Sequence, residues 1–223
     1  MLQEQHHAGI LSAFYLALRD LAQTDGMAVF RTAERFYGER RGRRMALRAL
    51  RDGRCLDYAA YFAYGELLST EGLTDVCFSA GRGRVDERVS RCPWAEEFIR
   101  LGCRDGGAFY CREIDASVVR GFNPDLHYEL LGNIYGEGCC RFCYKDGSIR
   151  PGLFDQSVSS SNKRDFRYHC ADVYQAFSHA VKMAAPGEWE TILGRVRSFL
   201  SKAYGEDFLT ILDLDQGQDF ERI

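Results

Sequence analysis

The sequence predicts a single α+β domain, an antiparallel β-sheet covered by helices, and three observations predict it. The first third carries apolar residues at helical spacing, the middle supplies two pairs of β-like runs joined through glycines, and the last part returns to helical periodicity. No internal repeat, low-complexity tract or long linker divides the chain. That order gives a helical N-terminal part over residues 1–70, a core over 71–185, and a C-terminal helix and tail over 186–223.

Residues 8–20 read as an amphipathic helix through Ile10, Phe14, Leu16 and Leu18, and residues 27–51 as a second through Met27, Phe30, Ala33 and Phe36, with Thr24, Asp25 and Gly26 as punctuation. "LDYAAYFAYGELLS", 56–69, predicts a third. "LTDVCFSA" and "RVDERVSRC" form a hairpin around Gly81 and Gly83. Pro93 then opens a short helix that stops at Gly102, and 107–120 reads as one further helix broken by "FNPD". "LHYELLGNIYG" and "CCRFCYKDG" make a second strand pair joined through Gly136 and Gly138. "VSSSNKR", 158–164, is a polar loop before a helix over 165–184, in which Phe166, Cys170, Val173, Phe177 and Val181 share a face. A last helix covers 188–204. The closing "DFLTILDLDQGQDFERI" reads either as a tail packed on a second subunit of a homodimer or as a disordered end.

Of the 223 residues, 46% are hydrophobic and 27% charged, enough for a core without covalent staples. A net charge of -3 gives no overall pull toward nucleic acid or anionic lipid. The densest basic stretch, "RFYGERRGRRMALRALRDGR", spreads Arg40, Arg41, Arg43, Arg44, Arg48, Arg51 and Arg54 around a helix and reads as a solvated face, the alternative being a phosphate- or carboxylate-binding role. No segment approaches the roughly 18 apolar residues of a membrane span. Nine cysteines in a chain of this length, with no basic start followed by a continuous apolar run, place it in a reducing cytoplasm with free thiols.

The candidate chemistry begins with Cys111 and Asp115, four apart on the predicted 107–120 helix and so on one face. The first turns after Gly106 and Gly107 favour a thiolate at Cys111, and an ionised Asp115 opposes it. The bland alternative, a small thiol in a core and an acid on a surface, stays open on spacing alone. Of the five histidines, His6 and His7 fall at a fraying terminus, His127 starts a strand and His179 lies on a polar face. His169 borders the apolar face of its helix, where a side chain can reach a cleft. "CRFC" has the CxxC spacing of a metal site, but on a strand Cys140 and Cys143 point to opposite faces, with Cys140, Phe142 and Tyr144 on one. The reading is no metal and no cofactor; the alternative is zinc through Cys92, Cys111 and Cys140. Glycine-rich nucleotide loops and a GxSxG elbow are missing.

In order, "CPWAEEFIRLG", "YCREID", "GFNPDL", "GEGCCRF" and "DFRYHCADVY", over about residues 85–180, resemble the L-2-amino-thiazoline-4-carboxylic acid hydrolase family. The middle also resembles ligand-sensing domains of the 4-vinyl reductase type, an antiparallel sheet covered by helices around a small-molecule pocket, some of which hold zinc. Glu129 and Cys140 stand on comparable ground, with Gly132 where a further cysteine is expected. The first resemblance implies a hydrolase that opens a small cyclic amidine at a C–N bond, with a small-molecule substrate and neither nucleic acid nor membrane as partner. Carried over, it makes Cys111, Asp115 and His169 catalytic, and Cys92, Trp94, Asn123 and Cys140 substrate-binding. In one version Cys111 attacks the amidine carbon, His169 exchanges the proton and activates water, and Asp115 orients the histidine or binds the amidinium. In a second, water attacks directly with Asp115 or His169 as base and Cys111 is a wall. The second resemblance implies a binding or zinc-holding module without catalysis.

Overall fold

Helix α1 (Glu4–Leu18) starts at Gln3, whose amide donates to the His6 Nδ1 at 3.1 Å, so the first turn is tied down rather than frayed. This is a computed structural model describing residues 2–21, 24–147, 149, 162–215 and 217–222. Asp25 caps helix α2 (Gly26–Arg51) by accepting from the Ala28 amide at 3.0 Å. Phe14 of α1, Phe30 of α2 and Phe177 of helix α8 (Phe166–Ala184) meet with ring centroids 5.2 and 4.9 Å apart and form the centre of the helical core.

Between α2 and α8 come helix α3 (Tyr58–Ala63), strands β1 (Asp75–Gly81) and β2 (Arg84–Arg91), helices α4 (Pro93–Arg100), α5 (Arg104–Tyr110) and α6 (Ile114–Phe122), strand β3 (His127–Gly132), helix α7 (Ile134–Glu137) and strand β4 (Cys140–Lys145). The strands form one antiparallel sheet in the order β1-β2-β4-β3. Val85 and Val89 of β2 and Cys140, Phe142 and Tyr144 of β4 share its covered face, against Tyr58 and Val119. Helices α9 (Trp189–Tyr204) and α10 (Glu206–Leu214) close the helical side. The result is a single α+β domain, its four-stranded sheet flanked by N- and C-terminal helices. No described helix is long and apolar enough to cross a membrane.

Several expectations change. The third helix is only six residues, because the chain leaves it to carry Glu66 inward. The helix expected over 107–120 is two, α5 and α6, separated by a turn over 111–113. Tertiary contacts override the periodicity there, as Arg35 (3.0 and 3.2 Å) and Arg120 (3.1 Å) hold the Glu113 carboxylate at the turn. The second strand pair is joined through α7 rather than by glycines alone. Of the loop at 158–164, residues 158–161 lie outside the described residues, while Arg164 bridges Leu67 in parallel. Among its described residues the closing stretch forms most of α10 rather than a disordered end, with Phe208, Leu209, Leu212 and Phe220 buried in this chain.

The largest correction concerns the arginines. Arg43 and Arg51 face solvent, but Arg40, Arg41, Arg44 and Arg48 are buried. Arg44 reaches Glu66 through Nε (3.0 Å) and Nη2 (2.8 Å), Asp172 of α8 at 2.8 Å, and the Phe220 carbonyl at 2.8 Å. Arg40 pairs with Asp172 and Arg48 with Glu66. Burial pushes the Glu66 carboxyl up, but the hydrogen bonds and charge of Arg44, with Arg41 and Arg48, hold it down at about 2. The physical reason for the error is the i, i+4, i+8 spacing of Arg40, Arg44 and Arg48, which aligns them on the face that α2 turns to α3 and α8.

Helix α6 lies against α2 at backbone contact. A Cβ on Gly42 would sit 2.1 Å from the Val118 carbonyl oxygen, and one on Gly121 would sit 2.2 Å from that of Glu39. This approach sets Asp115 of α6 beside Arg41 of α2.

Two outcomes follow for stability. Glu66→Gln is expected to cost about 3–5 kcal/mol in urea denaturation, since it leaves buried guanidinium groups uncompensated. Gly42→Ala is expected to cost about 1–3 kcal/mol in the same measurement, because the obstructing atom is backbone and the helices must separate.

Candidate active site

A cavity of about 190 Å³ opens between α1, α2, the covered face of the sheet and the α5–α6 turn. Cys111, Asp115, Cys92, Trp94 and Cys140, all singled out from the sequence, line it. Two others lie elsewhere. The Asn123 side chain donates to the Leu56 carbonyl at 2.8 Å and accepts from the Asp125 amide at 3.0 Å, holding the end of α6. His169 is fully buried, its Nε2 3.3 Å from the Glu66 carbonyl oxygen, and its Nδ1 has no hydrogen-bond partner among the described residues. Burial, with the charge of Arg41 next, lowers its pKa to about 3, so the imidazole is neutral.

His7 and Glu87 also line it and had no place in the sequence reading as functional groups, and Arg41, read there as part of a solvated face, lines it too. His7 is buried. The indole N–H of Trp94 can only donate, and it lies 3.1 Å from His7 Nδ1; Nε2 therefore carries the proton and donates to the Tyr37 hydroxyl at 2.9 Å. Burial lowers the His7 pKa well below the usual range, helped by the charge of Arg41. Both its nitrogens are engaged, and it orients Trp94 rather than offering a free base.

Glu87 had a readable signal. It alternates with Val85 and Val89 along β2 and pairs across the sheet with Phe142, which puts an acid on the buried face of a strand. The Tyr144 hydroxyl donates to it at 2.6 Å. Burial raises its pKa to about 7, against that hydrogen bond and with the Asp115 charge adding to the rise. Asp115 is raised by burial and lowered by Arg41, to about 6. Two carboxyl groups of one site are thus both raised towards neutral pH, where one can be ionised while the other holds a proton.

Arg41 differs from its neighbours in the ion cluster. Its closest charge contact is Nε to Glu66 at 3.9 Å, and among the described residues it makes no hydrogen bond within normal length. Its guanidinium carbon also stands 5.5 Å over the Tyr37 ring. A buried guanidinium with donors to spare at a cavity wall has the charge and geometry to pair with an anion.

The thiols are a separate matter. Cys111 caps the C-terminal end of α5, not the first turn of a helix, so the helix end there bears partial negative charge. Burial pushes its thiol well above the usual value, and the Cys92 and Asp115 charges add to the rise. Burial likewise raises Cys92, and takes Cys140, whose Sγ accepts from the Ile134 amide at 3.3 Å, to about 11. All three are resting thiols. They share the cavity wall, yet among the described residues no group of three or more His, Cys, Asp or Glu is arranged to hold a metal ion. The zinc alternative therefore finds no fitting donor set there.

Fold and cavity together describe an α+β protein with a small pocket lined by two carboxyl groups, a guanidinium and three thiols. The model of the L-2-amino-thiazoline-4-carboxylic acid hydrolase family matches residues 3–144, more than half of the chain, and the chain belongs to that family. Membership supports a hydrolase-like role. The matched stretch begins earlier than the expected 85–180 and ends before α8, so it contains Arg41, Glu87, Cys111 and Asp115 but not His169. Comparisons with curated proteins and with solved structures returned no match.

Alkylation with iodoacetamide near neutral pH, followed by peptide mass spectrometry, is expected to label the exposed Cys55 and Cys77 first. Cys111 is expected to react slowly, with a rate still climbing at about pH 9.

Proposed function

We propose that the protein hydrolyses a C–N bond in a small cyclic amidine of the 2-amino-thiazoline-4-carboxylate kind. The observation that carries this reading is the presence of Asp115 and Arg41 in one cavity: a carboxylate beside a buried guanidinium with unused donors. An aminothiazoline acid offers the complement, with an amidinium for Asp115 and a carboxylate for Arg41. Family membership points the same way.

Water is the nucleophile in this reading. A thiol raised by burial gives little thiolate at neutral pH, whereas Asp115 is ionised there. Asp115 takes a proton from water as the oxygen bonds to the amidine carbon, and the double-bond electrons move onto nitrogen. Glu87 then gives its proton to the ring nitrogen as the C–N bond breaks. The hydroxyl proton of the collapsing carbon returns to Glu87, a carbonyl remains, and Asp115 releases its proton to solvent. Cys111, Cys92 and Cys140 form the wall against which the ring lies. The His169 role implied by the resemblance has no support from cavity geometry, since His169 does not line the cavity.

The test is turnover of 2-amino-2-thiazoline-4-carboxylate followed by mass spectrometry. Asp115→Asn is expected to lower kcat by about 100- to 10,000-fold, while Cys111→Ser keeps most of the activity. Complete loss in Cys111→Ser, with a covalent adduct trapped on wild-type Cys111, would return the nucleophile role to the thiol. The wild-type pH profile is expected to be bell-shaped, its limbs set by the pair with values about 6 and 7. Binding without turnover in the wild type would make the chain a receptor instead.

Asp115 also predicts a stability effect of defined sign. Its folded-state pKa of about 6 lies above the ordinary 3.8, so the folded protein holds this proton more tightly than the unfolded chain. The stabilisation is complete below 3.8 and is lost as pH rises through 6. Asp115→Asn should therefore be more stable than wild type at neutral pH, by about 3 kcal/mol, and the gap should close in acid, as read by denaturant titration at several pH values.

A further inference from the structure

Three of the four buried arginines of α2 are bonded within the protein. Arg40 pairs with Asp172 and donates to its backbone carbonyl at 3.0 Å, Arg44 bonds Glu66, Asp172 and the Phe220 carbonyl, and Arg48 bonds Glu66. Arg41 is the exception. It is only 8% exposed, its Nε is buried without a hydrogen-bond partner among the described residues, and it alone of the four lines the cavity of about 190 Å³.

Charge makes the same distinction. Glu66 and Asp172 are the carboxylates that pair with the four guanidinium groups, so the cluster keeps positive charge in excess, and the cavity is the side from which an ion can reach it. A buried charge without a counterion is costly, and an exchangeable anion removes that cost.

The rest of the wall decides which anion fits. Asp115 and Glu87 share the space, so a single guanidinium faces two acids and favours one negative charge over two. The Trp94 N–H is already given to His7. Cys92, Cys111 and Cys140 add S–H groups, which are weak, polarisable donors. A weakly hydrated guanidinium beside soft donors suits a halide better than phosphate or sulfate, which need several strong donors at once.

We infer that the cavity binds a small monovalent anion, chloride in kind, at the Arg41 guanidinium, and that a ligand's carboxylate displaces it. The anion site stands on the ion cluster and the cavity alone. The displacement rests on the hydrolase reading, which gives Arg41 the substrate carboxylate.

The first measurement is the broadening of the chloride NMR line by the full chain, at about pH 8, where Asp115 is ionised. Wild type is expected to broaden the line in excess of Arg41→Met, and added bromide to remove the excess. Asp115→Asn takes away a competing negative charge and is expected to tighten chloride by about 5-fold or more. Equal broadening by wild type and Arg41→Met overturns the inference, and so does an Asp115→Asn protein that binds chloride no tighter. If Arg41→Met does not fold, the Asp115→Asn comparison decides alone. In turnover of 2-amino-2-thiazoline-4-carboxylate, chloride is expected to raise KM by about 3-fold or more and leave kcat unchanged, against sodium gluconate at equal ionic strength. Arg41-dependent broadening with a KM indifferent to chloride overturns the displacement. The same broadening without any turnover sinks the hydrolase reading and keeps the anion site, and turnover without that broadening does the reverse. Neither turnover nor broadening sinks both.

Discussion

The buried ion cluster of α2 is the constraint around which the rest of the molecule is arranged. Four guanidinium groups on one helix are tolerable in a protein interior only if acids are brought to them from elsewhere, and the acids come from distant parts of the chain. Glu66 and Asp172 lie 22 and 128 residues beyond Arg44. The segment after α3, helix α8 and the end beyond α10 are thereby fixed to a single helix. Four positive groups against two carboxylates leave an excess of charge, and it is Arg41, the member with the weakest contact to Glu66, that meets the cavity. The structural cluster and the candidate substrate anchor are thus one feature seen from two sides.

A second constraint refines this. Because Gly42 and Gly121 allow α2 and α6 to touch at the backbone, Asp115 comes close enough to Arg41 for the guanidinium to oppose the effect of burial on the carboxyl. Without Arg41, desolvation alone would set the acidity of Asp115. Glu87 is raised by burial against the Tyr144 hydrogen bond instead. Helix packing on one side and sheet register on the other thus bring two carboxyl groups to one cavity, both raised towards neutral pH.

Much of the fold was legible from local pattern. The first hairpin, α4 with Pro93 at its start, α8 and α9 all announce themselves through periodicity and punctuation, because one face of each is buried against a continuous core. The split between α5 and α6 was not, since the grip on Glu113 at the turn comes in part from Arg35, a residue of α2 outside that stretch. At the site, Cys92, Trp94, Cys111, Asp115 and Cys140 line one cavity, while Asn123 and His169 lie outside it. Glu87 and the arginine face carried a periodic signal that a reading by composition passed over: one acid between two inward valines, three arginines spaced by four. His7 carried none, because its burial depends on Trp94 and Tyr37, far along the chain.

The hydrogen bond from Arg44 to the Phe220 carbonyl joins groups 176 residues apart. A contact of that span makes the electrostatic order of the cavity depend on the far end of the chain. Without the Phe220 carbonyl, Arg44 has one acceptor fewer, and the sharing of Glu66 and Asp172 among the arginines changes with it. The chemistry at one end of the molecule is in this sense held in place by the other.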